Sequence, residues 1–141
     1  MKRAFVLVAV LSLAGCGGAH NTKKPGVKPS RPVTKPLGRP LVVRLRGSVT
    51  GTARVRSLGS TETSVSLKLP HASAKGLTAE LDRGSCGAPK GLQLAKRLGR
   101  VRAPTSGWSV VAPLTKLTAS PLAVVLRSGG KLVGCGQVRQ A

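Results

Sequence analysis

From Pro40 onward, apolar and polar residues alternate with a period of two. In "VVRLRG" Val43 and Leu45 alternate with Arg44 and Arg46. In "VTGTARVR" Val49, Gly51, Ala53 and Val55 alternate with Thr50, Thr52, Arg54 and Arg56. In "TSVSLKL" Val65, Leu67 and Leu69 lie to one side, with Ser64, Ser66 and Lys68 to the other. A period of two sends successive side chains to opposite faces, so these stretches predict strands with one wet face. Later candidates are Gly76 to Asp82, Leu92 to Leu94, Gly107 to Val111, Leu122 to Arg127 and Leu132 to Val138, separated by Gly, Pro and Ser. The stretch "APLTKLTASP" admits a helical turn, limited by Pro113 and Pro121. About eight short strands in roughly 100 residues, with no convincing amphipathic helix, predict an all-β antiparallel sandwich or barrel.

Two other textures precede the strands. "MKRAFVLVAVLSLAGCGG" has a charged pair, Lys2 and Arg3, then an apolar run from Ala4 to Leu13 and a small-residue site ending at Cys16. The apolar run is too short to remain as a spanning helix and reads as an export signal. Leu13-Ala14-Gly15-Cys16 resembles the lipobox of bacterial lipoproteins. That resemblance implies cleavage before Cys16, acylation of its new N-terminus, and a domain held to the extracytoplasmic face of the cell membrane by its acyl chains. From Gly17 to Pro40, "GGAHNTKKPGVKPSRPVTKPLGRP" interleaves proline with basic residues. Such text buries little apolar surface and favours polyproline II extension, so it reads as a spacer, with or without contact between its cations and anionic headgroups. The expected organisation is a signal peptide over 1–15, a lipidated cysteine and basic tether over 16–40, and a folded domain over 41–141.

Charge changes the picture next. Lys and Arg number 24 against 3 Asp and Glu, a formal net charge of +21. A field of that size attracts phosphate-bearing partners such as nucleic acid, anionic lipid or an anionic wall polymer. The basic residues of strand-like text are Arg44, Arg46, Arg54 and Arg56. A second cluster, "AKRLGRVR", contributes Lys96, Arg97, Arg100 and Arg102. Nucleic acid is not the expected partner, because base stacking needs exposed aromatics and Trp108 is the only candidate ring outside the signal. Trp108 itself reads as core or half-buried packing. The core must come from Val, Leu and Ala, since Tyr is absent and the single Phe is Phe5.

With Cys16 acylated, Cys86 and Cys135 are left in an oxidising compartment, where a bridge between them would contribute roughly 3 to 4 kcal/mol on the chain-entropy model. The alternative is two free buried thiols. A catalytic cysteine has no suitably placed base: the only histidines are His20, in the tether, and His71, in the turn-like "LPHAS".

The order "SVTGTARV", "TSVSLKL", "AELDRGSC", "LQL", "GWSVV", "LAVVLRSGG", "GCGQV" resembles the small secreted sandwich modules related to copper-zinc superoxide dismutase and the CHRD domain. The likeness runs from about Val43 to Val138. "RGSC" at 83–86 and "GCGQV" at 134–138 correspond to the two ends of that family's intradomain disulfide. It implies a Greek-key β-sandwich. It also implies that Glu80 and Asp82 stand where the family has a copper-binding His-x-His pair, and Arg127 where it has a later copper histidine.

Between Cys86 and Cys135 the chain has no His, Asp or Glu for the remaining ligands. Copper and zinc centres need several imidazoles, so no metal or other cofactor is expected. Period-two alternation sets Thr78, Glu80 and Asp82 on one face of their strand. Three readings of the carboxylates follow: an ion-pair cluster with Arg127 and also Arg83 at a wet surface, solvated charges that offset the basic surround, or a hard-cation site.

The sequence is compatible with three functions. The first is a membrane-anchored, non-catalytic envelope module with a binding or structural role. The second is a copper/zinc dismutase-type enzyme with a reworked site. The third is an electrostatic binder of anionic envelope polymers or lipid headgroups.

Overall fold

A computed structural model describes residues 36–71 and 75–139. Where the sequence alternates, it folds into strands with the apolar set inward: Val43 and Leu45 are buried between exposed Arg44 and Arg46, and Ala53 and Val55 flank exposed Arg54. The described strands are β1 Pro36–Gly47, β2 Gly51–Leu58, β3 Glu62–Lys68, β4 Leu77–Arg83, β5 Gln93–Arg100, β6 Thr105–Val110, β7 Leu122–Ser128 and β8 Lys131–Val138. All pair antiparallel, in one eight-stranded hydrogen-bonded sheet of order β5-β4-β7-β8-β1-β2-β3-β6. The all-β class read from the sequence is the class observed.

A single apolar cluster draws on both ends of that sheet, which makes the fold sandwich-like. Val43, Val55, Val65, Leu67 and Val110 come from β1, β2, β3 and β6, while Leu77, Leu81, Leu122, Val124 and Leu126 come from β4 and β7. Full burial of each Val or Leu side chain contributes about 1.5–3 kcal/mol. The sheet's two edges, β5 and β6, approach one another. There the half-buried Trp108, in register with Val65, packs against the core, and a Cβ added to Gly99 of β5 would lie 3.8 Å from its Nε1.

β1 joins the two halves. Residues from Leu41 to Leu45 pair with β2, and Arg46 and Gly47 pair with Cys135 and Gly134 of β8. Glycine permits this approach. A Cβ on Gly136 would sit 2.6 Å from Val43 Cγ1 and 2.7 Å from the Arg44 carbonyl oxygen, and one on Gly47 would sit 2.5 Å from the Val133 carbonyl oxygen.

Two boundaries differ from the sequence reading. β1 begins at Pro36, inside the segment read as a tether up to residue 40, and its register against β2 is irregular between Leu37 and Leu41. Prolines supply no ladder donor, so a proline-rich strand start carries no strand-like text. β5 extends to Arg100 where only Leu92 to Leu94 was expected, because its register against β4 shifts twice and the alternation is lost. The helical turn in "APLTKLTASP" is present as α1, Leu114–Leu117. Cys16, His20 and the tether up to residue 35 lie outside the described residues.

Candidate functional site

β4 sets Leu77, Ala79 and Leu81 into the core and sends Thr78, Glu80 and Asp82 to the opposite face, as alternation requires. β7 is its neighbour, with Thr78 opposite Arg127, Glu80 opposite Val125 and Asp82 opposite Ala123. Arg127 therefore reaches along β4 from its place opposite Thr78, past Glu80 as far as Asp82. Its Nε donates to Glu80 Oε2 at 2.8 Å and its Nη2 to Asp82 Oδ2 at 2.9 Å. One guanidinium thus spans two carboxylates placed i,i+2 on a strand. The fork-like geometry of arginine suits this, whereas the single ammonium of lysine does not.

The ion-pair reading of Glu80, Asp82 and Arg127 holds, with two corrections. Arg83 is exposed and takes part in none of the ion pairs among the described residues; the second cation is Arg97 of β5, whose Nε lies 3.5 Å from Glu80 Oε1. The cluster is also not at a wet surface. Asp82 has 0% and Glu80 8% of its surface exposed, which removes the reading of solvated carboxylates. Asp82 Oδ1 accepts no hydrogen bond from the described residues. Hydrogen bonding to Glu80 raises the Arg127 guanidinium above its ordinary value; burial opposes this and Asp82 reinforces it. Arg127 is therefore a cation in this setting.

On the outward side, the chain from Gly84 to Leu92 packs against part of β7 and β8. The covalent Cys86–Cys135 disulfide ties that segment to β8, and Cys86 and Leu92 pack on Ala123, Val125 and Cys135. Gln137, which sequence reasoning passed over, is a second staple. Its Nε2 donates to the carbonyls of Leu122 at 2.8 Å and Gly84 at 3.2 Å, and its Oε1 accepts the Cys86 N–H at 3.2 Å. Its only sequence signal was its place two residues after Cys135 in "GCGQV", on the same strand face as that cysteine.

A copper or zinc centre does not fit these residues. The two carboxylates are bridged by a guanidinium, which donates and cannot ligate, and no group of three or more His, Cys, Asp or Glu among the described residues could hold a metal ion. His71 is exposed in the turn after β3. Neither a family model, nor a curated protein, nor a solved structure matches the chain.

The basic residues fall into two groups. Arg44, Arg46, Arg54 and Arg56 lie on the outward faces of β1 and β2, with Arg56 partly buried. Lys96, Arg97 and Arg100 lie on the edge strand β5, with Arg102 just beyond it, and Arg97 is occupied by Glu80. Arg44 and Arg46 also line an open cavity of about 660 Å³ on the outer side of the β1–β8 junction. Ser48, the disulfide, Gln137 and Arg139 share its wall. No carboxylate lines it.

Proposed function

We propose that this chain is an exported lipoprotein, anchored through Cys16, whose domain is a non-catalytic Greek-key relative of the dismutase-like and CHRD-like sandwiches with a binding or structural role in the cell envelope. One observation carries the reading. Arg127 is seated across Glu80 and Asp82, so the positions that the resemblance assigns to metal ligands are bonded to a fixed cation of the protein itself. Supporting it are the disulfide between "RGSC" and "GCGQV" and a strand order in which β7 lies beside β4 and β6 beside β3. In place of a metal, the site holds an ion pair that joins β4 to β7.

Two measurements on the exported protein test this reading. Elemental analysis is expected to find copper and zinc far below one per chain, and a stoichiometric, tightly held metal would restore the dismutase-type enzyme. Labelled palmitate is expected to enter the chain and to be lost with Cys16→Ser; incorporation that survives the substitution removes the anchor.

The exposed row of Arg44, Arg46 and Arg54 favours a second reading, an electrostatic binder of anionic envelope polymers or lipid headgroups. Its affinity must fall steeply with salt. Equal binding at low and high salt would dismiss it.

A further inference from the structure

The cavity beside the disulfide combines features that the rest of the basic surface does not. Arg44 and Arg46 project from β1, and Arg139 follows β8 at the same site. Two apolar side chains lie among them: Val42, 61% exposed, and Leu132, 38% exposed. Neither contributes to the buried core. β8 supplies one wall from Leu132 to Gln137, where the inward-facing Gly134 and Gly136 let β1 lie close, and the Cys86–Cys135 bridge and Gln137 tie that wall to the segment after β4. A volume of about 660 Å³ falls within the range of small-ligand sites. Three guanidiniums with no lining carboxylate select an anion, and arginine forks match phosphate oxygens.

A purely polar polyanion would gain nothing from Val42 and Leu132. A second copy of the chain would set arginine against arginine. The remaining match is a ligand with an anionic phosphate next to the start of a hydrocarbon chain.

We infer that this groove binds the headgroup of an anionic phospholipid, with the phosphate among Arg44, Arg46 and Arg139 and the glycerol–acyl junction against Val42 and Leu132. The inference deepens the electrostatic reading of the basic face by giving it one site and one ligand chemistry. The contrasting patch around Arg54 and Lys68 is lined by Thr52, Ser66 and Thr105 and has only Leu67 as an apolar member, itself buried.

The test is an amide-resolved NMR titration of the full chain with dihexanoyl phosphatidylglycerol below its micelle concentration. Dihexanoyl phosphatidylcholine, glycerol phosphate and inorganic phosphate serve as separate arms. Because the readout is site-resolved, lipid taken up elsewhere on the chain is not counted. Saturable shifts are expected at residues 42–48 and 132–137 with phosphatidylglycerol, and binding of the other three probes is expected to be at least about ten-fold weaker. Arg44→Ala with Arg46→Ala should weaken phosphatidylglycerol binding about ten-fold or more, while Lys116→Ala, at an exposed position of α1, leaves it within about two-fold. Val42→Ser should weaken phosphatidylglycerol and leave glycerol phosphate unchanged.

Equal binding of phosphatidylglycerol and phosphatidylcholine overturns the inference, as does an equal loss with Lys116→Ala. Glycerol phosphate or inorganic phosphate binding as tightly as the lipid leaves an anion site and overturns the lipid assignment. If shifts appear on β2 and β5 instead of the groove, the electrostatic reading survives and the groove does not. If no arm binds even at low salt, both fail.

Discussion

Replacing Arg127 with methionine is the most informative single change, because it keeps much of the side chain's length and removes only the charge and the donors. Asp82 would then be a carboxylate with no exposed surface, one oxygen already without a hydrogen bond and the other newly orphaned. Glu80 would retain only Arg97, 72% exposed and 3.5 Å away. Removing one partner of a buried ion pair costs about 3–5 kcal/mol, since the partner's desolvation is no longer compensated. In a domain of this size ~1 kcal/mol corresponds to ~4–8 °C, so the melting temperature should fall by roughly 12 °C or more.

Urea unfolding followed by the fluorescence of Trp108, the only tryptophan, reads the midpoint and the slope separately. A lower midpoint with an unchanged slope is the expected result. Adding Glu80→Leu and Asp82→Leu to Arg127→Met should recover most of the loss, because an apolar replacement of similar volume no longer buries a charge. A loss of less than about 1 kcal/mol for Arg127→Met would refute the reasoning, since it would place the pair among solvated ion pairs. Failure of the triple variant to recover stability would also refute it, because the cost would then lie in packing and not in charge.

Other changes give smaller or differently placed effects. Arg97→Ala should cost no more than about 0.5 kcal/mol in the same unfolding assay, since its guanidinium is solvated and its contact long. Cys86→Ser with Cys135→Ser opens a loop with a sequence separation of 49. It should lower stability by about 4 kcal/mol on the chain-entropy account, with matched unfolding curves of bridged and reduced protein as the check. Gln137→Ala removes three hydrogen bonds, two to the Gly84–Leu92 segment and one to Leu122 of β7. It should cost about 1–3 kcal/mol and speed amide exchange in that segment more than in β2 and β3; uniform acceleration would contradict a local staple. Gly136→Ala places a methyl 2.6 Å from Val43 Cγ1 and 2.7 Å from a carbonyl oxygen, so β1 must shift. A cost of about 1–3 kcal/mol is expected, whereas the same change at exposed Gly107, with open space around it, should be nearly neutral.

Strand text was legible wherever one face was buried and the other wet, because a period of two is a local property: β2, β3, β7 and β8 lie within a few residues of where alternation puts them. The inward set of Val, Leu and Ala followed from the same pattern. So did the shared face of Glu80 and Asp82, and the turn between Pro113 and Pro121. The pattern failed where the chain is an edge or starts with proline. β5 is half solvated on both sides, and the beginning of β1 lacks donors, so neither carries a two-residue rhythm.

What the sequence could not decide was depth. Whether two carboxylates on an outward strand face are solvated or dry depends on what else lies there. Beside them, a segment is tied to the sheet through Cys86, Cys135 and Gln137, partners about fifty positions apart in the chain, and both carboxylates are buried. Register across β4 and β7 chose Arg127 over its neighbours in sequence, and the pairing of β5 with β4 brought Arg97 to Glu80 in place of adjacent Arg83. Local residue types determine which face a side chain takes. Only long-range pairing determines which charge it meets and how much water it keeps, and for a buried ion pair those two quantities set the energy.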